Sequence, residues 1–203
     1  MKRTAIAALV AIGALAACAQ LKQMSGGGWT TLIDGDTGLE HWNRVGDANW
    51  RPERGAIVAD HGKEGYLVSK NAYRDFEIHA EFYAETDTNS GIFIRCNDPA
   101  KITGQNCYEV NIWDTRPDPT YGTGAIVNVA PVPVPLVNKA GGHWNTYEII
   151  AKGEQLTVRL NGVQTANARD GKHADGYVAL QYGPVKGAES GPIKWRKVQI
   201  RPL

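Results

Sequence analysis

The chain has 203 residues, a formal net charge of +1, 42% hydrophobic residues and 21% charged residues. This composition is typical of a globular protein with one sizeable domain or two small ones, and it excludes an intrinsically disordered chain. A near-neutral chain without a basic run has no broad electrostatic attraction for nucleic acid, so we expect no nucleic-acid partner. The 23 glycines and six tryptophans favour a β structure rich in turns.

The N-terminus predicts export. Met1-Lys2-Arg3 precedes an apolar run that is too short to span a bilayer as a mature helix. Leu15-Ala16-Ala17-Cys18 resembles the bacterial lipobox, in which the cysteine is lipidated and becomes the first mature residue. Since Ala19 is not the aspartate that retains such proteins at the inner membrane, the resemblance favours the outer membrane, facing the periplasm. The alternative is a cleaved soluble secretory signal with an incidental cysteine.

We therefore assign residues 1–17 to a lipoprotein signal peptide, 18–28 to the lipidated Cys18 and a flexible tether, and 29–203 to one domain. A lipid anchor would be the only membrane contact. Removing Cys18 from the count leaves Cys96 and Cys107 as an even pair in an oxidising compartment, which predicts a disulfide. Strict strand alternation places Cys96 on the core-facing side and Cys107 on the other, so the loop between them must break the register before the sulfurs can meet.

The domain itself shows many short strands separated by turns and no convincing helix. Phe76 to Phe82 alternates cleanly between apolar and polar residues, the period of a half-buried strand. Asn161-Gly162 separates two apolar runs and is the strongest two-residue hairpin signal. Five prolines between Thr115 and Gly142 exclude a central strand there and indicate a long functional or mobile loop. The pattern predicts an all-β sandwich of two antiparallel sheets or a jelly roll, with the termini paired in the sheets.

Two strands, Asn89–Cys96 and Cys107–Asp114, carry the most informative alternation. Their aliphatic residues share one face, which we expect to lie in the core. The opposite face then shows Arg95, Glu109 and Asn111 beside the aromatic residues Phe93 and Trp113. Charged and amide groups beside aromatic rings suit a sugar, which offers hydroxyls around an apolar ring. The alternative is a solvated face with a surface Arg95–Glu109 ion pair worth about 0–1 kcal/mol.

Several motifs together resemble the 3-keto-disaccharide hydrolase domain. In chain order they are Leu32-Ile33-Asp34-Gly35 with Trp42, Tyr73-Arg74-Asp75-Phe76-Glu77, Asn89-Ser90-Gly91-Ile92-Phe93-Ile94-Arg95, Tyr108-Glu109-Val110, Trp144-Asn145-Thr146-Tyr147-Glu148-Ile149, Asn161-Gly162, Gly176-Tyr177-Val178-Ala179-Leu180-Gln181 and Trp195-Arg196-Lys197-Val198-Gln199-Ile200. Each motif is weak alone, but their order from Trp29 to Leu203 is specific. The resemblance implies a concanavalin A-like jelly roll and a carbohydrate substrate oxidised to a ketone at C3. His143 departs from the family, in which Glu or Gln is common at this position.

A 3-keto group acidifies the C2 hydrogen, so a base can remove it and the C1 substituent can leave by elimination, after which water adds. Such a site needs a base, a group that stabilises the enediolate and an acid for the leaving oxygen. We expect Glu109 as the base, Arg95 at the substrate oxygen or enediolate, and His143 as a further proton-transfer group. The expected substrate-binding residues are Asn111, Trp113, Asp114, Trp144 and Gln181.

Two alternatives stay open at this point. Glu109, Asp114 and His143 could together hold a divalent cation that polarises the ketone, although their spacing is not that of a tight metal site, and we expect no obligatory cofactor. The same fold and the same aromatic residues would also suit a non-catalytic, lectin-like glycan-binding lipoprotein.

Overall fold

The computed structural model describes residues 28–185 and 188–203. Residues 1–27, which include the predicted signal peptide, Cys18 and most of the predicted tether, lie outside the described residues. Thirteen strands and two short 3-10 turns make up the regular structure of the described part. They are β1 Thr30–Asp34, β2 Trp42–Gly46, β3 Arg51–Pro52, β4 Ile57–Ala59, β5 Gly65–Tyr73, β6 Phe76–Ala84, β7 Asn89–Cys96, β8 Tyr108–Ile112, β9 His143–Lys152, β10 Gln155–Leu160, β11 Val163–Arg169, β12 Gly176–Gly183 and β13 Ile193–Pro202, with turns at Leu39–His41 and Pro119–Tyr121.

The strands form two antiparallel sheets, as the sequence predicts. The eight-stranded sheet has the order β11-β10-β9-β6-β13-β4-β3, and β1 also pairs with β13. The five-stranded sheet has the order β2-β5-β12-β7-β8. Because the first and last strands pair with each other, both ends of the folded domain, from Thr30 and up to Pro202, are held in the eight-stranded sheet. The all-β, concanavalin A-like jelly-roll prediction is confirmed.

The core lies between the two sheets and follows the alternation read from the sequence. In β6 every second residue, from Phe76 to Ala84, is buried. Phe82 packs against Tyr147 of β9 and Trp195 of β13, with ring centroids 5.0 and 5.6 Å away. The aliphatic residues of β7 and β8 join the same core, as expected. Aromatic rings therefore fill the centre of the sandwich, where their large apolar area stabilises it most.

Turn and loop predictions also hold. Asn161 and Gly162 have φ values of 51° and 80°, the positive pair required by a type I′ hairpin between β10 and β11. The proline-rich segment contains one short turn and no long strand. Part of it runs beside β8: the Asn111 amide donates to the Ala125 carbonyl at 3.0 Å, and the Val127 amide donates to the Glu109 carbonyl at 2.9 Å. This segment therefore covers the open edge of the five-stranded sheet.

No helix in the described ranges is long and apolar enough to cross a membrane.

Candidate functional site

The outer face of the five-stranded sheet has an apolar base. Tyr66, Val68, Phe93 and Ala179 lie there side by side with the Cys96–Cys107 disulfide, and all are buried. Ile102, from the loop between the two cysteines, packs on the same cluster. The predicted disulfide is confirmed, and it fixes this loop to the sheet. A sheet face that would otherwise be solvated is thereby partly covered.

A glycine leaves a gap in this face. The strand register aligns Tyr66, Gln181, Gly91 and Asn111 in one row across β5, β12, β7 and β8. A Cβ atom added to Gly91 would lie 3.7 Å from Oε1 of Gln181, 3.5 Å from Cγ of Glu109 and only 3.0 Å from the Val110 carbonyl oxygen. A glycine inside a strand often marks a place where a ligand approaches the backbone. We call this gap, bounded by Glu109, Gln181 and Asn111, the Gly91 floor.

Glu109 is the carboxylate at the Gly91 floor. It is partly buried and forms no salt bridge with any described residue. Burial raises its pKa from 4.5 to about 7, because the charged form loses solvation; the Arg116 guanidinium lowers the pKa and the Glu64 carboxylate raises it further. A carboxylate with a pKa near 7 can accept a proton at neutral pH and is a stronger base than an exposed one.

Several residues on the face of Glu109 carry polar atoms that have no partner in the described part of the chain. Asn111 Oδ1, Gln181 Oε1, Trp113 Nε1 and Arg116 Nε are buried and have no hydrogen-bond partner within the described residues. Asn111 is held by its other amide atom, since Nδ2 donates to the Tyr121 carbonyl at 2.6 Å. Buried polar atoms without partners are destabilising, so they are expected to meet a ligand or water. Two acceptors and two donors suit a ligand that carries both hydroxyl and carbonyl oxygens.

Sequence reasoning missed three residues of this face. Arg116 lies with its guanidinium carbon 5.6 Å from the Trp113 ring centroid, and its charge acts on Glu109. Tyr66 and Glu64 lie at the β5 end of the row, where the Tyr66 hydroxyl donates to Glu64 at 2.7 Å. The sequence predicts a strand at Tyr66, but no residue in that strand indicates which other strands lie next to it in the sheet. Arg116 follows Trp113 by three residues, and a cation close to an exposed-face tryptophan was the available signal.

Arg95 does not lie beside Glu109, and the predicted position is wrong. Ile94 and Arg95 together face the single residue Val178 of β12, a β-bulge, and Arg95 has a φ of 53°. The extra residue turns the guanidinium inward, where it is fully buried and donates to the carbonyls of Arg74, Gly153 and His173 and to Asp75 at 3.1 Å. Arg95 therefore joins loops around the sheet and does not reach the Gly91 floor.

The same bulge explains how the disulfide forms. Beyond the inserted residue the alternation of β7 is reversed, so Cys96 lies on the outer face with Cys107. The sequence predicts that the loop between the two cysteines breaks the register. The register does break, but inside β7.

Asp114 holds the proline-rich loop closed. Its carboxylate accepts hydrogen bonds from the Thr123 hydroxyl at 2.6 Å, from the Ala140 amide at 3.0 Å and from the Gly141 amide at 2.9 Å. These bonds join Thr123, inside the loop, and Ala140 and Gly141, at its C-terminal end, to the segment just after β8. The oxygens expected to bind substrate are thus occupied by backbone and side-chain donors, which gives Asp114 a structural role in positioning the loop.

His143 and Trp144 lie on the other sheet. Both are at the start of β9, and the exposed His143 ring has Nδ1 3.1 Å from the Gly141 carbonyl oxygen. Trp144 faces outward, against Tyr83 and below the Arg196 guanidinium at 4.4 Å. Neither residue contacts the Gly91 floor, so the expectation that they join Glu109 is not met. Asn111, Trp113 and Gln181 do share its face.

Glu109, Asp114 and His143 do not form a metal site. Within residues 28–185 and 188–203, no group of three or more histidine, cysteine, aspartate or glutamate side chains could hold a metal ion. Asp114 is committed to the loop and His143 belongs to the opposite sheet.

Comparison with known sequences gives the family. The model of the 3-keto-alpha-glucoside-1,2-lyase-like domain matches residues 28–201. The chain belongs to this family. The match covers the whole sandwich, from the residue before Trp29 to the last strand, in agreement with the resemblance read from the sequence motifs. The search of curated proteins found no match to this chain.

Solved structures share the fold of this 3-keto-alpha-glucoside-1,2-lyase-like domain. A candidate glycosyl hydrolase from Parabacteroides distasonis has a TM-score of 0.69 and 24% identity, covering 87% of this chain and 100% of that one. The carbohydrate-binding module CBM66 from Bacillus subtilis has a TM-score of 0.58 and 14% identity, covering 81% and 94%. The exoplasmic domain of VIP36, in its Ca²⁺- and Man-bound form, has a TM-score of 0.58 and 9% identity, covering 85% and 89%.

Proposed function

We propose that the protein cleaves the glycosidic bond of 3-keto-glycosides or 3-keto-disaccharides, with Glu109 as the base that removes the C2 proton. One observation carries the proposal: a partly buried carboxylate with a pKa of about 7 borders the Gly91 floor, where a strand residue carries no side chain and polar atoms of the same face are unpaired within the described residues. The family of the chain, and the names of the structures that share its fold, support a carbohydrate ligand.

In the first step, the Glu109 carboxylate takes the proton from C2. The electron pair of the C2–H bond forms the C2–C3 double bond, and the ketone oxygen becomes an enediolate oxygen. The ketone at C3 then re-forms, the double bond shifts to C1–C2, and the C1–O bond breaks with its electron pair on the leaving oxygen, which takes a proton from water. Water adds to the resulting double bond, placing its hydroxyl at C1 and a proton at C2, so that the net reaction is hydrolysis. If the product leaves before water adds, the reaction is that of a lyase.

The enediolate needs donors that are in place before the reaction. Arg95 cannot supply them, because its guanidinium is buried and bonded elsewhere. Trp113 Nε1 and Arg116 Nε are the unpaired donors on the Glu109 face. We assign the ketone oxygen to these two groups and the sugar hydroxyls to Asn111 Oδ1 and Gln181 Oε1.

The test is turnover of 3-keto-glucosides by purified protein, beside the unoxidised glucosides. Glu109→Gln keeps the shape of the side chain but removes the base, so the rate should fall about 10²- to 10⁴-fold in a folded protein. Glu148→Gln is the matched control: Glu148 lies on β9 of the other sheet, 3.9 Å from Arg159, and its change should leave turnover unaltered. Near-full turnover by Glu109→Gln would place the base elsewhere.

The second candidate is glycan binding without catalysis. The overlap of the fold with a carbohydrate-binding module favours it, and such a protein would need no base. A wild type that binds glucosides but turns over no 3-keto-glucoside, and in which Glu109→Gln changes only the affinity, would establish this function.

We also propose that the protein is anchored in the outer membrane, facing the periplasm, through a diacylglyceryl group on Cys18. The lipobox-like Leu15-Ala16-Ala17-Cys18 supports this. Mass spectrometry of the mature N-terminus tests it, and an unmodified N-terminus downstream of Cys18 would overturn it.

A further inference from the structure

The Gly91 floor is bounded on its β5 side by a chain of three polar side chains. The Tyr66 hydroxyl donates to Oε1 of Glu64 at 2.7 Å, and Nε2 of Gln181 is 3.4 Å from the Tyr66 hydroxyl oxygen. Tyr66 is 7% exposed and Gln181 is 6% exposed, so both polar groups need partners within the protein or from a ligand. Glu64 is exposed and reaches the tyrosine from the strand edge.

The chemistry of the three groups gives this chain a direction. An ionised carboxylate can only accept hydrogen bonds, so the Tyr66 proton goes to Glu64. The tyrosine oxygen is then left as an acceptor, and Gln181 must present its NH₂ group to it. The amide oxygen of Gln181 consequently faces the other way, toward the Gly91 floor, where it lies 3.7 Å from the position of a Cβ on Gly91 and has no partner in the described part of the chain.

We propose that Glu64 and Tyr66 are positioning residues that fix Gln181 as a hydrogen-bond acceptor at the Gly91 floor. The site then selects a sugar that places a hydroxyl against Gln181 and rejects one that places a carbonyl or an ether oxygen there. This inference deepens the proposed function, on which it rests for the class of ligand. It orients the sugar, because the ketone must point away from Gln181 and toward the donors Trp113 Nε1 and Arg116 Nε.

Two substitutions alter the hydrogen-bonded series Glu64–Tyr66–Gln181 in different ways. Tyr66→Phe removes the hydroxyl and leaves the Gln181 amide free to rotate. Glu64→Met removes the acceptor at an exposed position that should tolerate it, so the Tyr66 proton turns to Gln181 Oε1 and the NH₂ group faces the floor. Tyr83→Phe is the matched control, because the Tyr83 hydroxyl donates to Glu85 at 2.9 Å, two residues away, on the other sheet.

The probes are methyl 3-keto-α-glucoside and its derivatives in which one hydroxyl is removed or O-methylated. In the wild type, one position should carry a penalty in kcat/KM of about 10- to 100-fold, because its loss leaves the buried amide oxygen unpaired. In Tyr66→Phe and Glu64→Met the NH₂ group can face the floor and donate to an ether oxygen, so the penalty for O-methylation should nearly vanish there and remain in Tyr83→Phe. Removal of the hydroxyl should still lower kcat/KM in all of them, because it leaves one amide group unpaired. The side-chain amide signals of Gln181 in ¹⁵N NMR should move in the first two variants and not in the control.

An unchanged penalty for O-methylation in both Tyr66→Phe and Glu64→Met would overturn the proposal, and so would Gln181 signals that do not move. If no 3-keto-glucoside is turned over, the same series built on methyl α-glucoside is measured by calorimetry. If the affinity penalty depends on Tyr66 but no 3-keto-glucoside is turned over, the positioning role is supported and the proposed reaction is refuted. Turnover of 3-keto-glucosides with no such penalty at any position would support the proposed reaction and refute the positioning role.

Discussion

Glu109→Gln should gain stability relative to the wild type as the pH rises, while its turnover falls. The folded pKa of Glu109 is about 7, compared with 4.5 for the ordinary carboxyl. Between these values the folded protein binds a proton that the unfolded chain does not, so the free energy of unfolding falls as the pH rises from about 4.5 to about 7. The loss is complete above the folded pKa, since there both states are ionised.

The size of the effect follows from the linkage relation. A pKa raised from 4.5 to about 7 corresponds to a loss of about 3 kcal/mol at high pH. Between pH 5 and pH 8 the change is about 2.5 kcal/mol, because part of the loss has already occurred at pH 5. Glutamine does not titrate, so Glu109→Gln lacks this loss. Any cost of burying the amide is the same at both pH values and cancels in the comparison.

The assay is urea unfolding of wild type and Glu109→Gln at pH 5 and at pH 8. The difference in unfolding free energy between the two proteins should shift by about 2.5 kcal/mol in favour of the variant at pH 8. Other titrating groups are common to both proteins and drop out. The exposed-face control Glu148→Gln should show a shift below about 1 kcal/mol. A shift of that small size in Glu109→Gln would mean that Glu109 is solvated, which would remove the physical reason for choosing it as the base.

Four further outcomes are expected. Arg95→Met should lower the free energy of unfolding by about 3–5 kcal/mol, because it leaves the carbonyls of Arg74, Gly153 and His173 without their donor and removes the cation beside Asp75, while kcat of the folded protein stays close to that of wild type. Gly91→Ala should block the floor, since its Cβ would be 3.0 Å from a backbone oxygen, and should lower kcat/KM without abolishing folding as judged by circular dichroism. Replacing Cys96 and Cys107 by serine should cost about 2–3 kcal/mol in urea unfolding, and alkylation of the denatured wild type should find neither thiol free. Cys18→Ser should release the protein from membranes into the soluble fraction of the envelope.

The alternation of apolar residues was sufficient for most of the fold. It placed β6, the central pair β7 and β8 and the hairpin at Asn161, because these elements obey a strict period of two and a local turn rule. It also identified Glu109, Asn111 and Gln181 as residues of one outer face. The pairing of β5 with β12, which brings Tyr66 to that face, depends on contacts between strands more than a hundred residues apart in sequence. No local pattern contains that information.

The positions of Arg95, Asp114 and His143 could not be read from alternation for a different reason. A β-bulge inserts one residue and reverses every later position on its strand, and nothing in the letters around Ile94 and Arg95 marks it. Asp114 lies two residues beyond the end of β8, where backbone amides of the returning loop donate to its oxygens. His143 begins a strand of the other sheet, and the sheet to which a strand belongs is decided by tertiary packing.

The bulge also bears on the role proposed for Glu109. Had β7 kept its register, Arg95 would have lain on the outer face close to Glu109, and an opposite charge at that distance lowers the pKa of a carboxyl. A carboxylate held below its ordinary pKa is a weak base, suited to an ion pair more than to proton abstraction. The inserted residue instead sends Arg95 to Asp75 and brings Cys96 to Cys107, whose loop then helps to cover the apolar cluster next to Glu109. Deleting one residue from the bulge should therefore separate the cysteines and lower the pKa of Glu109 together, which carboxyl NMR titration and thiol counting on one variant can measure. Retention of a raised Glu109 pKa in a variant with two free thiols would show that the two features are independent.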